Sequence, residues 1–170
     1  MIIVYHCYGG THSSPVAAAI HLGFLDPNQL PQPRQLVELP FYDRISPSDY
    51  GALRFMGQDA TGNQIYVMGV GYHRNLMKRL VPGVAGILGG DPGRIFLIDV
   101  YPCTNWWMKI GGFLSRRLGF ITIGRPLVIF GTRRAYPKLV GVVKEVWKKL
   151  ARDAVSQTPQ SVEVERGLMN

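Results

Sequence analysis

Met1-Ile-Ile-Val-Tyr-His-Cys7-Tyr-Gly-Gly10-Thr-His-Ser-Ser14-Pro-Val-Ala-Ala-Ala-Ile20 opens the chain, and its reading decides the fold class. Residues 2–5 are apolar, β-branched or aromatic, the composition of a buried strand. Pro15 before an alanine run suits a first helical turn, where a missing N–H removes no intrahelical bond. Ser13 or Ser14 is placed to cap that helix by accepting from a free backbone N–H. Between strand and helix, Gly9 and Gly10 let successive amides turn inward as a nest, and the helix dipole adds positive potential. Strand, glycine loop and helix start in this order make an anion site. Cys7 stands at its mouth.

Working outward, the alternation of strand and helix recurs. Residues 94–100 read as an interior strand, and residues 54–58 and 63–69 as the arms of a hairpin around Asp59-Ala-Thr-Gly62. Residues 35–39 read as a short second strand stopped by Pro40, and residues 126–130 as a final buried strand with an exit loop at 131–134. Helices are expected from about Asn75, around Trp106 and Trp107, and from the exit loop to about Asp153. The pattern predicts a three-layer α/β domain, with a twisted, mainly parallel sheet, helices on both faces and a β-hairpin insertion. One domain over residues 1–155 and a mobile polar tail over 156–170 are expected. Ligands of open parallel sheets bind outside the carboxyl ends of the strands. The loops 7–14, 69–74, 100–105 and 131–134 are therefore expected to converge on one rim.

Composition narrows the function. Two cysteines without a secretory leader pattern point to a cytoplasmic setting and to thiols rather than a disulfide. No apolar run approaches the roughly 20 residues that span a bilayer, so membrane insertion is not expected. The net charge of +8 favours acidic partners. Without zinc-finger spacing or an aromatic RNA-binding signature, a phosphorylated small molecule or phosphoprotein is favoured over nucleic acid.

The candidate chemistry centres on Cys7 as nucleophile, with His12 and Asp99 as candidate proton carriers. Gly9, Gly10, Thr11, Ser13 and Ser14 would hold an anion, and Arg74 or Arg133 would neutralise its charge. Against this stands a simpler role for Cys7 as a small apolar plug at a strand end. Asp99 would likewise be a hydrogen-bonded anchor, and His21 a residue of a helix face. His6 and Cys7 point to opposite faces of a strand, and no pair has metal-ligand spacing, so no metal or cofactor is expected. Cys103 raises a Cys7–Cys103 redox couple as a further reading. Trp106 and Trp107 are expected to divide between core and surface.

The segment from Cys7 to Ala17 resembles the loop of low-molecular-weight tyrosine phosphatases and related arsenate reductases. There a cysteine, five residues, then Arg-Ser-Pro lead into an alanine-rich helix; the cysteine is the nucleophile and the arginine clamps the transferred group. Ser13 stands here in the place of that arginine, and the Asp-Pro-Tyr general acid is missing. Cys7, Gly10, Ser13 and Ser14 are also similar to the phosphocysteine loop of the IIB components of sugar phosphotransferase systems, which pass on a phosphoryl group without an arginine. Across most of its length the chain resembles an uncharacterised family of spore-forming bacteria, a domain of unknown function. His6-Cys7-Tyr8-Gly9-Gly10, His12-Ser13-Ser14 and Phe130-Gly131-Thr132-Arg133 carry that likeness. Together these imply an oxyanion-binding protein with cysteine-dependent phosphoryl transfer or hydrolysis. The alternatives are a degenerate module that binds a phosphorylated partner without turnover, or redox chemistry.

Overall fold

The computed structural model describes residues 1–156, and these form a mixed α/β unit with four strands and five helices. β1 (Ile2–Cys7) lies between β3 (Gln64–Gly69) and β4 (Ile95–Asp99) and runs parallel to both. β2 (Arg54–Gln58) adds an antiparallel edge to β3, giving an open mixed sheet of order β2-β3-β1-β4. The helices are α1 (Ser13–His21), α2 (Pro33–Glu38), α3 (Arg74–Ile87), α4 (Trp106–Arg116) and α5 (Ile121–Ser156). The tail expected over 156–170 lies, from residue 157 on, outside the described residues.

The period of two along β1 places helices on both faces. Ile3, Tyr5 and Cys7 enter one core with Val16 and Ile20 of α1 and with Leu139 and Val143 of α5. Val4 joins Met68 on the other face, under Met77 and Val81 of α3. The alanine run brings α1 close to the sheet, and all nine of its residues are buried. A chain of side chains pins this layer. The Tyr5 hydroxyl is 2.7 Å from His21 Nδ1, and His21 Nε2 is 3.1 Å from Asp59 Oδ2 in the β2–β3 turn. Burial pushes the His21 pKa down and the Tyr5 pKa up, so both are neutral near pH 7.

Two expected strands are helices. Residues 35–39 fall largely in α2, where Pro33 begins the helix and Gln32 and Gln35 cap it reciprocally. Residues 126–130 lie inside α5, whose buried positions include Val128, Thr132, Ala135, Leu139, Val143 and Val146, a helical spacing. Pro126 and Pro137 are accommodated inside that helix. With no strand there, residues 131–134 are not an exit loop either. Both Trp106 and Trp107 are exposed, so neither belongs to the core.

Candidate functional site

The 7–14 segment is shaped by close approach of backbone to backbone. Gly10 has φ +68°, and a Cβ there would stand 2.4 Å from the amide nitrogen of Gly69 at the end of β3. A Cβ on Gly69 would meet the Gly9 carbonyl oxygen at 2.8 Å. Only glycine permits the left-handed turn and the contact together. The loop carbonyls are taken up by neighbours: Cys7 O accepts from Val70 N at 3.1 Å, Tyr8 O from Gly71 N at 2.9 Å and Thr11 O from Asp43 N at 2.9 Å. The Gly10 N–H donates instead to the sulfur of Cys7 at 3.2 Å, and Ser14 Oγ lies 3.2 Å from that same sulfur.

α1 begins without a side-chain cap. His12 occupies the N-cap position, so the capping role expected of Ser13 or Ser14 is not realised. Among the described residues, the N–H groups of Ser13 and Ser14 donate to no protein acceptor. Ser13 Oγ is buried and unpartnered too. Cys7 itself is 4 % exposed.

His12 does not cap because its ring is held elsewhere. Its Nε2 lies 3.2 Å from Asp43 Oδ1, and the ring edge packs against Gly112 of α4. Asp43 is the centre of a buried network. It accepts from Ser115 Oγ at 3.0 and 3.1 Å and from Arg125 Nε at 3.1 Å, and its own carbonyl accepts from Arg116 at 3.0 Å. Burial alone raises a carboxyl pKa. Here the hydrogen bonds from His12, Arg125 and Ser115 outweigh burial and hold Asp43 below the usual range. Thr11 fastens the same loop: its hydroxyl donates to Phe41 O and accepts from the amides of Arg44 and Ile45. That occupies the group expected to bind an anion. The fastening holds Phe41 and Asp43 at φ +63° and +52°.

Three tyrosines surround the outer side of the loop. The Tyr8 ring lies 4.9 Å from Tyr72 and 5.8 Å from Tyr50, and Tyr50 packs on Gly69 and Gly71. The Tyr72 hydroxyl, and burial after it, push the Tyr8 pKa up to about 12. Burial raises Tyr50 as well, with the Cys7 sulfur adding to the effect and Arg117 opposing it. Arg117 is thus a cation whose field reaches Tyr8 and Tyr50 beside the loop.

A protein-family model matches residues 2–148. The chain belongs to that family, described as a protein of unknown function, DUF3189. No curated protein and no solved structure gives a significant match.

In this DUF3189 chain the remaining expected site residues divide between the two faces of the sheet. Asp99 and Arg74 are on the α3 side: Arg74 donates to Asp99 Oδ2 at 3.3 Å and stacks on Tyr101 at 4.4 Å. His6 shares that side, 4.0 Å from Asp99 Oδ1, with both ring nitrogens buried and unpartnered. Burial, the largest influence, lowers the His6 pKa, and Lys78 and Arg74 add to it against Asp99. Arg133 sits in mid-α5 beside a depression lined by Leu30, Phe130 and Pro137. The loops 7–14, 69–74 and 100–105 do meet at the strand ends, through Val70 N to Cys7 O and Val100 N to His6 O. Asn105 reaches Gly131 O at 2.7 Å, but Arg74 is engaged by Asp99. Cys7 and Cys103 are free thiols of one core cluster, and burial raises the Cys103 pKa. No described group of three or more His, Cys, Asp or Glu is placed to hold a metal.

Asp43, Arg117 and Arg125 escaped the sequence reading. The partners of Asp43 lie 31, 72 and 82 positions away, so no local spacing advertises them. In the sequence Arg117 stands out only as the second of two adjacent arginines, Arg116-Arg117.

Proposed function

We propose that the 7–14 loop binds an oxyanion, a phosphoryl group above all, and that the Cys7 sulfur is its nucleophilic acceptor. The observation that carries this is the unpartnered set at the start of α1. Two free amides and the buried Ser13 hydroxyl adjoin a sulfur already held by an amide and by Ser14. Such groups are costly to bury unless a negatively charged guest completes them.

The proposed step is displacement at phosphorus. The Cys7 thiol gives up its proton, and its sulfur forms an S–P bond as the P–O bond of the ester breaks. The departing oxygen leaves carrying a proton in exchange for the one the thiol lost. Attack by water, or by an acceptor hydroxyl, on the phosphothiol returns the free sulfur. Arg117 supplies the positive charge that Ser13 cannot, and Asp43 fixes the His12 ring at the helix start. A second reading, binding without turnover, is favoured by the 4 % exposure of Cys7.

Turnover of para-nitrophenyl phosphate, intact-mass detection of a phosphothiol, and titration with inorganic phosphate test both readings together. The expected result is phosphate binding by the natural protein and by Cys7→Ser, with adduct and turnover only in the former. Binding without adduct selects the second reading. No phosphate binding overturns both.

A further inference from the structure

We propose that the α4–α5 hairpin docks this chain onto the surface of an anionic lipid bilayer. This does not depend on the chemistry of Cys7. The hairpin is assembled from its small residues. A Cβ on Gly111 would stand 2.7 Å from the Gly124 carbonyl oxygen, and one on Gly124 would stand 2.5 Å from the Ser115 amide, so the two backbones touch. Several large apolar side chains are turned outward all the same. Trp106, Ile110 and Phe113 follow one another along α4, Phe120 lies in the turn, and Ile123 and Phe130 lie along α5. All six are exposed, Trp106 to 75 % and Ile123 to 62 %. Trp107 packs edge-on against Phe130 at 5.4 Å and joins the two helices on this side.

Charge identifies the occupant. Residues 100–144 hold eight of the 19 lysines and arginines and none of the 11 aspartates and glutamates. This segment therefore carries +8, the net charge of the entire chain, and the other residues balance. A second copy would bring the same charge against itself. A nucleic acid would stack on the aromatic rings, but Ile110 and Ile123 offer bases no partner. An anionic bilayer satisfies both kinds of group, with apolar side chains at the acyl boundary, Trp at the interface and cations on the headgroups. The eleven residues of α4 span about 16 Å, roughly half the hydrocarbon thickness. No helix among the described residues is long and apolar enough to cross a membrane, so the hairpin lies in the interface.

Flotation of the full chain with phosphatidylcholine vesicles, with and without phosphatidylglycerol, tests this. The chain is expected to float only with the anionic vesicles, with a blue shift of tryptophan emission. Phe113→Ser combined with Ile123→Ser should abolish flotation. Lys109→Glu combined with Arg134→Glu, both on solvent-exposed chain, should weaken it more than about tenfold. Ile87→Ser with Leu88→Ser, exposed on and beyond α3, should leave it intact. Failure to float with anionic vesicles overturns the proposal, as does flotation indifferent to the hairpin substitutions. A dimer, or a complex with single-stranded RNA, that the Phe113 and Ile123 changes dissolve while flotation is absent overturns it in favour of that other partner.

Discussion

The β1–α1 unit and the α4–α5 hairpin both rely on glycine for close backbone contact, yet they arrange their side chains in opposite ways. In the first, Ile3, Tyr5, Val16 and Ile20 go inward and the glycines turn the loop. In the second, Gly111, Gly124 and Ser115 go inward while tryptophan, phenylalanine and isoleucine face out. The lesson is that glycine reports intimacy between backbones, while its neighbours decide what that intimacy exposes. Around Cys7 it leaves free amides and a hydroxyl beside a sulfur. On the hairpin it leaves apolar surface on a segment that has no acidic residue of its own.

The largest expected effect is at Gly10. Gly10→Ala places a methyl group 2.4 Å from Gly69 N at a left-handed φ, and neither backbone has room to yield. Strain and overpacking together should cost about 3–5 kcal/mol in urea unfolding. A loss below about 1 kcal/mol would mean that the loop is not clamped to β3.

Gly124→Ala asks the same of the hairpin. Its methyl group meets the Ser115 amide at 2.5 Å, and about 2–3 kcal/mol should be lost as α4 is forced from α5. If the loss is negligible, the helices already separate easily and the contrast with the β1–α1 unit fails.

Asp43→Asn links the two regions, because Asp43 joins His12 to Ser115 and Arg125. It should cost about 2 kcal/mol at pH 7. The folded pKa of Asp43 lies below its unfolded value of about 4. Its contribution is therefore complete above the unfolded value and is lost as pH falls through the folded one. Unfolding midpoints between pH 2 and 7 should show a shallower acid limb in the variant. Asp59, whose pKa is also held low, keeps part of that limb. An unchanged limb would remove Asp43 from the account.

The smallest effect is expected at Phe113→Ser, where stability should move by no more than about 0.5 kcal/mol because the side chain is half exposed. A loss above 2 kcal/mol would show that the outward face of α4 belongs to the core.

Much of the fold was legible because local patterns were honest. Continuous β-branched and apolar runs located β1 and β4, and Asp59-Ala-Thr-Gly62 located the hairpin, while the Asn105 cap that starts α4 went unread. Val128-Ile129-Phe130 misled, since a β-branched run between Pro126 and Gly131 has the composition of a strand. What makes it helical is burial of every third or fourth residue against α1 and α4, which local composition does not record. At the candidate site, Cys7, Gly10, Ser13 and Ser14 were legible as one contiguous loop. Arg74 was placed near the strand ends correctly but on the other face, with Asp99.

By itself the sequence determined the strand–loop–helix unit, the cysteine at its mouth and the excess of positive charge, all properties of neighbouring residues or of composition. Only the tertiary structure decided that His12 turns to Asp43 and leaves α1 uncapped, that Asp99 and Cys7 lie on opposite faces, and that the charge and exposed apolar residues share one hairpin. Those outcomes depend on partners distant along the chain, chosen by packing rather than by adjacency.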